Sequence, residues 1–339
     1  MTLRSKLLTV AGITITLVFT AWVSTYLILN NTYNRGDNHV RIVIPQGAAL
    51  DQIADSLFAH GVIYNKTSFK MAAWLSGKTR QLFPGTYYLP PHLTNKALLR
   101  QLTTVHLQEV TITIPEGLRS DEIISILSKN LDLDSIKLSE LMSDFSLLAI
   151  VDHGFVHLEG TLFPDTYRFV KGESARGILE RLLRHFNSRL LPEWQARAAE
   201  MGMTIPEIIT VASLVEKETA NPSERALISG VYHNRLKKRM LLNCDPTLIY
   251  ALVQMGEWDG NLKLEHKEMR NPYNTYRYRG LPPTPIANPG AASIEAALYP
   301  EETPYLYFVG MNDGSGRHAF STTLREHINK VNRYQRRGR

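Results

Sequence analysis

The run Leu7–Leu29, LLTVAGITITLVFTAWVSTYLIL, contains no charged residue, and as a helix rising 1.5 Å per residue it would cover about 34 Å, enough to cross a bilayer core. Lipid offers backbone groups no partner, so such a run has one stable form, the helix that pairs its own N–H and C=O groups. A signal peptide would have a shorter apolar core and a small-residue cleavage site; here the run continues to Leu29 and meets Asn30 and Asn31, as in an uncleaved anchor. Arg4 and Lys6 lie ahead of it, so the positive-inside rule predicts a cytoplasmic tail at 1–6, a transmembrane helix at 7–29 and the remainder outside the cytoplasm. Trp22 and Tyr26 suit an interfacial aromatic belt, although ordinary packing accounts for aromatics there as well.

With 339 residues, 44% of them hydrophobic, the chain can bury a real core and has room for two or three domains. Its net charge of +6 fits work among anionic lipids or an acidic polymer without choosing between them. A domain held outside the cytoplasm is not expected to bind nucleic acid. The single cysteine, Cys244, permits no internal disulfide. The chain lacks H-E-x-x-H, C-x-x-C, P-loop and G-x-S-x-G motifs, and its histidines do not pair at ligand spacings, so neither a metal nor a cofactor is expected. His318 stands alone and reads as structural.

After a polar linker at 30–39 comes an internal repeat. Val40, Ile42, Ile44, Pro45, Gly47, Asp51, Ile53 and Leu57 recur as Val110, Ile112, Ile114, Pro115, Gly117, Asp121, Ile123 and Leu127. Farther on, Phe83-Pro84-Gly85-Thr86-Tyr87 is answered by Phe163-Pro164-Asp165-Thr166-Tyr167, at a larger offset that implies an insertion in the second copy. Each copy opens on a V-x-I-x-I strand, turns at Pro-x-Gly, enters a helix and closes on a T-Y strand, a small β-α-β module. Most of these positions read as structural. Glu159, Asp165 and Tyr167 are the candidates for contact with a ligand, because the second copy adds Leu158-Glu159-Gly160 and puts a carboxylate where the first has Gly85. Ser174–Glu200 then reads as helix with Ile178, Leu179, Leu182, Leu183 and Phe186 on its core face and arginines on a solvated one.

The chemistry is concentrated between Thr204 and Asp245. Thr204-Ile205-Pro206-Glu207 is a capping box opening a helix that runs to about Ala220. Asn221-Pro222-Ser223-Glu224 opens a second, with Asn221 as cap and Glu224 closing the box. Ile208, Val211, Leu214 and Val215 form an apolar stripe, with Glu218 in its middle and Glu216 well off it. A carboxyl buried on such a face, at the negative end of a helix dipole, is pushed toward its neutral form and becomes a general acid. Glu218 can equally be read as a solvated last-turn residue. Asp245, held out of helical geometry by Pro246, either caps a helix from Thr247 to Met255 or meets substrate directly. The proline-dense stretch 271–290 reads as a loop or lid whose Tyr273, Asn274, Thr275, Tyr276 and Tyr278 suit sugar rings, or as a packed crossover. A helix at Ser293–Leu298, a strand at Tyr305–Val309 and the His318-Ala319-Phe320-Ser321 segment complete the domain.

Val215-Glu216-Lys217-Glu218-Thr219, Ser223-Glu224-Arg225, Asn234-Arg235-Leu236, Asp245-Pro246-Thr247, Tyr273-Asn274-Thr275-Tyr276, Gly280-Leu281-Pro282-Pro283 and Ile286-Ala287-Asn288-Pro289-Gly290 occur in that order. In these motifs the chain resembles the MltG (YceG-like) endolytic murein transglycosylases over nearly its whole length. The resemblance implies an α+β fold: a transmembrane helix, a LysM-like module at 40–105, a mixed α/β catalytic domain at 106–330 whose 110–170 part repeats the module pattern, and a basic tail at 331–339. It implies cleavage of peptidoglycan glycan between N-acetylmuramic acid and N-acetylglucosamine, with no cofactor, by a protein of the inner membrane whose catalytic domain is periplasmic. Glu218, the second glutamate of E-K-E, would be the catalytic residue, donating a proton to the glycosidic oxygen and taking one back as the sugar's C6 hydroxyl attacks. The expected glycan contacts are Ser223, Arg225, Asp245, Thr247, Asn274, Thr275 and Tyr276, beside Glu159, Asp165 and Tyr167. Partners would be glycan strands, the inner membrane, and penicillin-binding proteins or other cell-wall synthases. The chain departs from the family at Asn243-Cys244, where Gln-Ser or Gln-Thr is usual, and at Thr284, where Gly is common. Two other readings stand beside this one: a muramidase using Glu224 or Asp245 as second carboxylate, and a non-catalytic glycan-binding scaffold.

Overall fold

The computed structural model describes residues 3–30, 40–104 and 109–335. Most of the expected linker, residue 105 at the end of the front module, the first two residues of the expected cytoplasmic tail and 336–339 of the basic tail lie outside them. The fold is mixed α/β, and its contacts divide it after Glu109, with Val170–Gly172 grouped with the first unit.

In the first unit, α1 (Leu3–Asn30) is long and apolar enough to cross a membrane, and no residue of Gly12–Asn30 is fully buried. β1 (Val40–Ile44) pairs antiparallel with β2 (Gly85–Leu89), Val40 opposite Leu89 and Ile44 opposite Gly85. The V-x-I-x-I alternation does what its period demands: Ile42 and Ile44 face the core and Val43 faces out. Between the strands run two helices rather than one, α2 (Leu50–Ala59) and α3 (Lys66–Leu75). The second of these begins at Asn65, whose Oδ1 accepts from Ser68 N at 3.1 Å. With α4 (Asn95–Thr103) they enclose a core of Ile42, Ile44, Ile53, Leu57, Phe69 and Leu98.

The second unit opens at Val110, within β3 (Glu109–Thr113), which pairs with β4 (Thr166–Val170). Between them lie α5 (Ser120–Leu131), α6 (Ser135–Glu140) and α7 (Phe145–Val151), so the insertion in this copy carries helices of its own. The predicted long helix is two, α8 (Ala175–Arg189) and α9 (Pro192–Glu200), because Pro192 cannot continue the first and instead starts the second.

At the centre lies α10 (Ile205–Glu218), opened by the expected capping box: Thr204 N and Oγ1 donate to Glu207 Oε2 at 2.8 and 2.9 Å. Every residue from Ile208 to Val215 is buried, the polar Thr210 and Ser213 included, so over this stretch α10 is a core helix covered all round rather than along one stripe. It packs against α9, α11 (Arg225–Lys237), α12 (Asp245–Gln254) and α13 (Ala291–Leu298). A hairpin of β5 (Tyr307–Gly310) and β6 (His318–Ser321) follows, Gly310 opposite His318. The chain then forms α14 (Leu324–Tyr334), an unexpected helix that Thr323 caps, its Oγ1 accepting from Glu326 N.

Candidate active site

Burial of α10 from Ile208 to Val215 leaves its last residue at the edge of the core, and that residue is Glu218. Thr219 is extended and ends the helix, so the carboxyl stands where the protein interior meets a cleft. Glu218 Oε2 accepts from Tyr232 Oη at 3.1 Å and lies 3.6 Å from Cys244 Sγ. Tyr232 and Cys244 are themselves 1% and 2% exposed, so the carboxyl is gripped from its buried side. Burial raises the pKa of Glu218; the bonds from Tyr232 and Cys244 and the nearby His318 pull the other way, and Asp245 adds to the rise. The net direction is upward, as a general acid requires.

Two clefts meet at this carboxyl. One, of about 740 Å³, lies between Thr219–Asn221 and the connection from Gly310 to Arg317. The other, of about 370 Å³, is bordered by Asn243, Asp245, Lys267, Tyr276 and Tyr307. Glu218, Gly310 and His318 border both.

Asp245 is the first residue of α12 and does not cap it; Cys244 holds the cap position without a side-chain bond. Its Oδ1 accepts from Tyr276 Oη at 2.5 Å, and Lys267 Nζ lies 3.8 Å from it and 4.3 Å from the centre of the Tyr276 ring. Asp245, Tyr276 and Lys267 thus form one polar wall of the smaller cleft. Thr247, Asn274 and Thr275 lie beneath it, each 2% exposed or less. Thr275 Oγ1 accepts from Cys244 N at 3.0 Å and Thr247 Oγ1 donates to Cys244 O at 2.7 Å, fixing the residue that touches Glu218. Asn274 Nδ2 donates to Lys267 O and Met269 O, and its Oδ1 accepts from Tyr276 N. The 271–290 stretch is therefore both packed crossover and cleft wall.

The remaining candidates sit elsewhere. Ser223 lies in an exposed turn, donating from N and Oγ to Asn221 Oδ1 at 3.1 and 2.9 Å. Asn221 caps a short 3-10 turn, as expected of it, but Glu224 closes no box: buried, it accepts from the backbone N of His318 at 3.1 Å and pairs with His318 Nδ1 at 2.8 Å. Arg225 lies 3.6 Å from Glu216 and 3.8 Å from Glu116. Glu216, expected off the core face, has a side chain only 8% exposed and accepts from Gly290 N at 3.1 Å. An arginine and a helix N-terminus compensate the charge that the apolar face could not.

Glu159 is 1% exposed, within reach of Ser120 N and Oγ, Tyr250 Oη and Asn288 Nδ2, and burial pushes its pKa up to about 7. Asp165 pairs with His185 at 2.8 Å and Arg189 at 2.6 Å, and Tyr167 Oη donates to Phe163 O at 2.5 Å. None of these three borders either cleft.

The model of the YceG-like family matches residues 42–333. This chain belongs to the YceG-like family. An endolytic murein transglycosylase of Bacillus subtilis is 31% identical, over 87% of this chain and 84% of that protein. One from Streptococcus pneumoniae is 28% identical over 80% of this chain, which spans only 54% of that longer protein. Among solved structures, a yceG-like protein of Listeria monocytogenes is 30% identical and matches 87% of this chain and 99% of its own with a TM-score of 0.58.

Sequence reasoning on this YceG-like chain missed three groups at Glu218: Tyr232, Cys244 and His318. Tyr232 lies on α11 beside buried Ile228 and Val231, and a tyrosine at such a buried position is the signal that a partner exists for its hydroxyl. Cys244 showed only as a departure from the family pattern. His318, read as structural, lies 94 residues from Glu224 in the chain, so no local pattern could join them.

Proposed function

We propose that this protein is an endolytic murein transglycosylase that cleaves the N-acetylmuramic acid–N-acetylglucosamine bond of peptidoglycan strands and leaves 1,6-anhydromuramyl ends. The observation that carries the proposal is the placement of Glu218: a carboxyl raised toward neutrality by burial, at the junction of two clefts, as mid-chain cleavage of a polymer requires. Protonated Glu218 donates to the glycosidic oxygen as the C1–O4 bond breaks and an oxocarbenium-like muramyl centre forms. The C6 hydroxyl then closes on C1 as its proton passes to the now ionised Glu218, so no water is activated and no second carboxylate is needed as nucleophile. Asp245, Tyr276 and Lys267 offer the glycan hydroxyls acceptors, donors and an aromatic face.

α1 anchors the protein in the cytoplasmic membrane with its N-terminus inside, as Arg4 and Lys6 dictate, and the catalytic domain outside among nascent glycan strands. There the enzyme ends strand elongation beside penicillin-binding proteins or other synthases, with the LysM-like front module between membrane and catalytic domain.

The test is incubation of full-length protein in detergent with uncrosslinked glycan strands. Glu218→Gln, nearly isosteric, is expected to lower cleavage about 10³-fold with the melting transition kept, since general acid catalysis supplies on the order of 10²–10⁴. Mass spectrometry separates a transglycosylase from a muramidase, whose reducing ends are heavier by one water. Wild-type activity in the Gln variant, or hydrolytic ends, would sink the proposal.

A further inference from the structure

We infer that the Pro45–Ala48 turn of the front module is a docking site for an extended polypeptide segment of another protein, paired through its backbone with Gly47 and Ala48. This stands whether or not Glu218 is the catalytic acid.

The second copy of the repeat shows the same turn already occupied. Asn288 lies along it in the manner of a strand: Gly117 N donates to Asn288 O at 2.9 Å, and Asn288 N donates to Leu118 O at 2.8 Å. Lys217 Nζ takes the remaining carbonyl, Gly117 O, at 3.0 Å. Two residues on, Gly290 lies so close to Glu116 that a Cβ there would stand 2.0 Å from Glu116 Oε1. Covered in this way, Gly117 is buried.

The first copy builds the same turn and leaves it bare. Gly47 and Gly117 share a left-handed backbone, with φ of 78° and 75°. The helix after each turn is capped alike, Gln52 accepting from Ala49 N at 3.0 Å and Glu122 from Arg119 N at 2.9 Å. Gly47 N and Ala48 O, the counterparts of Gly117 N and Leu118 O, bond to no described residue, and neither does Gly47 O. Pro45, Gln46 and Gly47 are exposed, and with Val43, Ala48 and Gln52 they border a groove of about 420 Å³. Val43 turns an apolar side chain outward there, 54% exposed.

Two features of the turn select its occupant. A residue in extended conformation presents its N–H and C=O to the same side, so it satisfies a neighbouring donor and acceptor together, as Asn288 does. The acetamido group of an amino sugar is a trans amide whose N–H and C=O point apart, so it reaches only one of the two. The turn therefore suits peptide better than glycan. Its side-chain preference differs from that of the second copy, where Asn288 Nδ2 lies 3.4 Å from Ser120 Oγ and 3.1 Å from Glu159 Oε1. The first copy has Leu50 in place of Ser120 and no counterpart of Glu159, so an apolar residue takes the place of the asparagine.

The experiment follows glycine amide resonances by NMR in full-length protein, isotope-labelled at glycine and held in detergent, with the Gly47 signal identified by its loss in Gly47→Ala. The probe is a synthetic peptide of residues 284–291 carrying Asn288→Val and capped at both ends. The Gly47 amide is expected to move, half-saturated at about 1 mM as two backbone hydrogen bonds and a small apolar contact allow, while that of Gly117 stays in place. N-methylation of the valine removes the N–H that Ala48 O would accept and is expected to weaken binding at least about tenfold. An N-acetylglucosamine tetramer is titrated in parallel. A Gly47 signal that answers to the sugar and not to the peptide, to both peptides equally, or to neither would overturn the inference.

Discussion

The two copies of the repeat begin from one pattern and end in different employment. In both, the closing tyrosine reaches back four residues: Tyr87 Oη donates to Phe83 O at 2.8 Å and Tyr167 Oη to Phe163 O at 2.5 Å. In both, the N3 side chain caps the helix after the Pro-x-Gly turn, Gln52 accepting from Ala49 N and Glu122 from Arg119 N. The first copy closes on a core of its own. In the second, Ile112, Ile114 and Ile123 share one core with α10. Its Pro-x-Gly turn is tied to α10 and to the stretch ahead of α13: Gly117 N donates to Asn288 O at 2.9 Å, and Gly117 O accepts from Lys217 Nζ at 3.0 Å. One pattern thus makes a self-contained unit in the first copy and, through the turn at Gly117, a support for α10 in the second.

The largest test of that contrast uses Glu159, which the first copy lacks. Burial lifts its folded pKa from the ordinary 4.5 to about 7, so the folded state binds more protons in between. Stability from this group is complete below about pH 4.5 and declines as pH rises toward 7, by up to about 3 kcal/mol. Thermal melts of wild type and Glu159→Gln across pH 4–8 should show a flatter dependence in the variant. Glu218, shifted the same way, leaves some slope, and equal slopes would mean Glu159 is not held as described.

Next comes the pair of turn glycines. Gly47 and Gly117 have φ of 78° and 75°, so Gly→Ala at either costs about 1 kcal/mol for the left-handed backbone. An added Cβ meets nothing at Gly47 but lies 3.3 Å from Glu216 Cγ at Gly117. Gly117→Ala should therefore cost about 1 kcal/mol more and slow glycan cleavage, while Gly47→Ala leaves cleavage unchanged. Equal effects would mean that the second turn does not support the site.

The smallest effect sharpens what the copies share. Tyr87→Phe and Tyr167→Phe should each cost about 1 kcal/mol in denaturant unfolding, with cleavage unaltered. A loss of kcat/KM confined to Tyr167→Phe would instead give that tyrosine a glycan contact.

Local patterns made much of this legible. The strand alternation at Val40–Ile44, the Thr204 capping box and the core face of α8 require only neighbours in sequence, and each stands where its period put it. Helices α3, α4, α6, α7 and α14 escaped because each spans at most 11 residues, too few for the apolar period to repeat clearly. Glu216 was misplaced because a helical wheel sees apolar neighbours but not Arg225 or the N-terminus of α13. The site was half legible: Glu218 followed from its position on α10, whereas its companions come from α11, the Asn243–Cys244 turn and β6.

By itself the sequence determined an apolar helix that can cross a membrane, a duplicated module, and one glutamate at the end of an apolar helix. Periodicity and composition fix those features, because each depends on residues a few positions apart. Only tertiary structure decided that Tyr232 and Cys244 would grip one oxygen of that glutamate and that Glu224 would turn from its helix start to hold His318. Such pairings join groups as many as 94 residues apart in the chain, where burial removes the competition of water and geometry alone selects the partner.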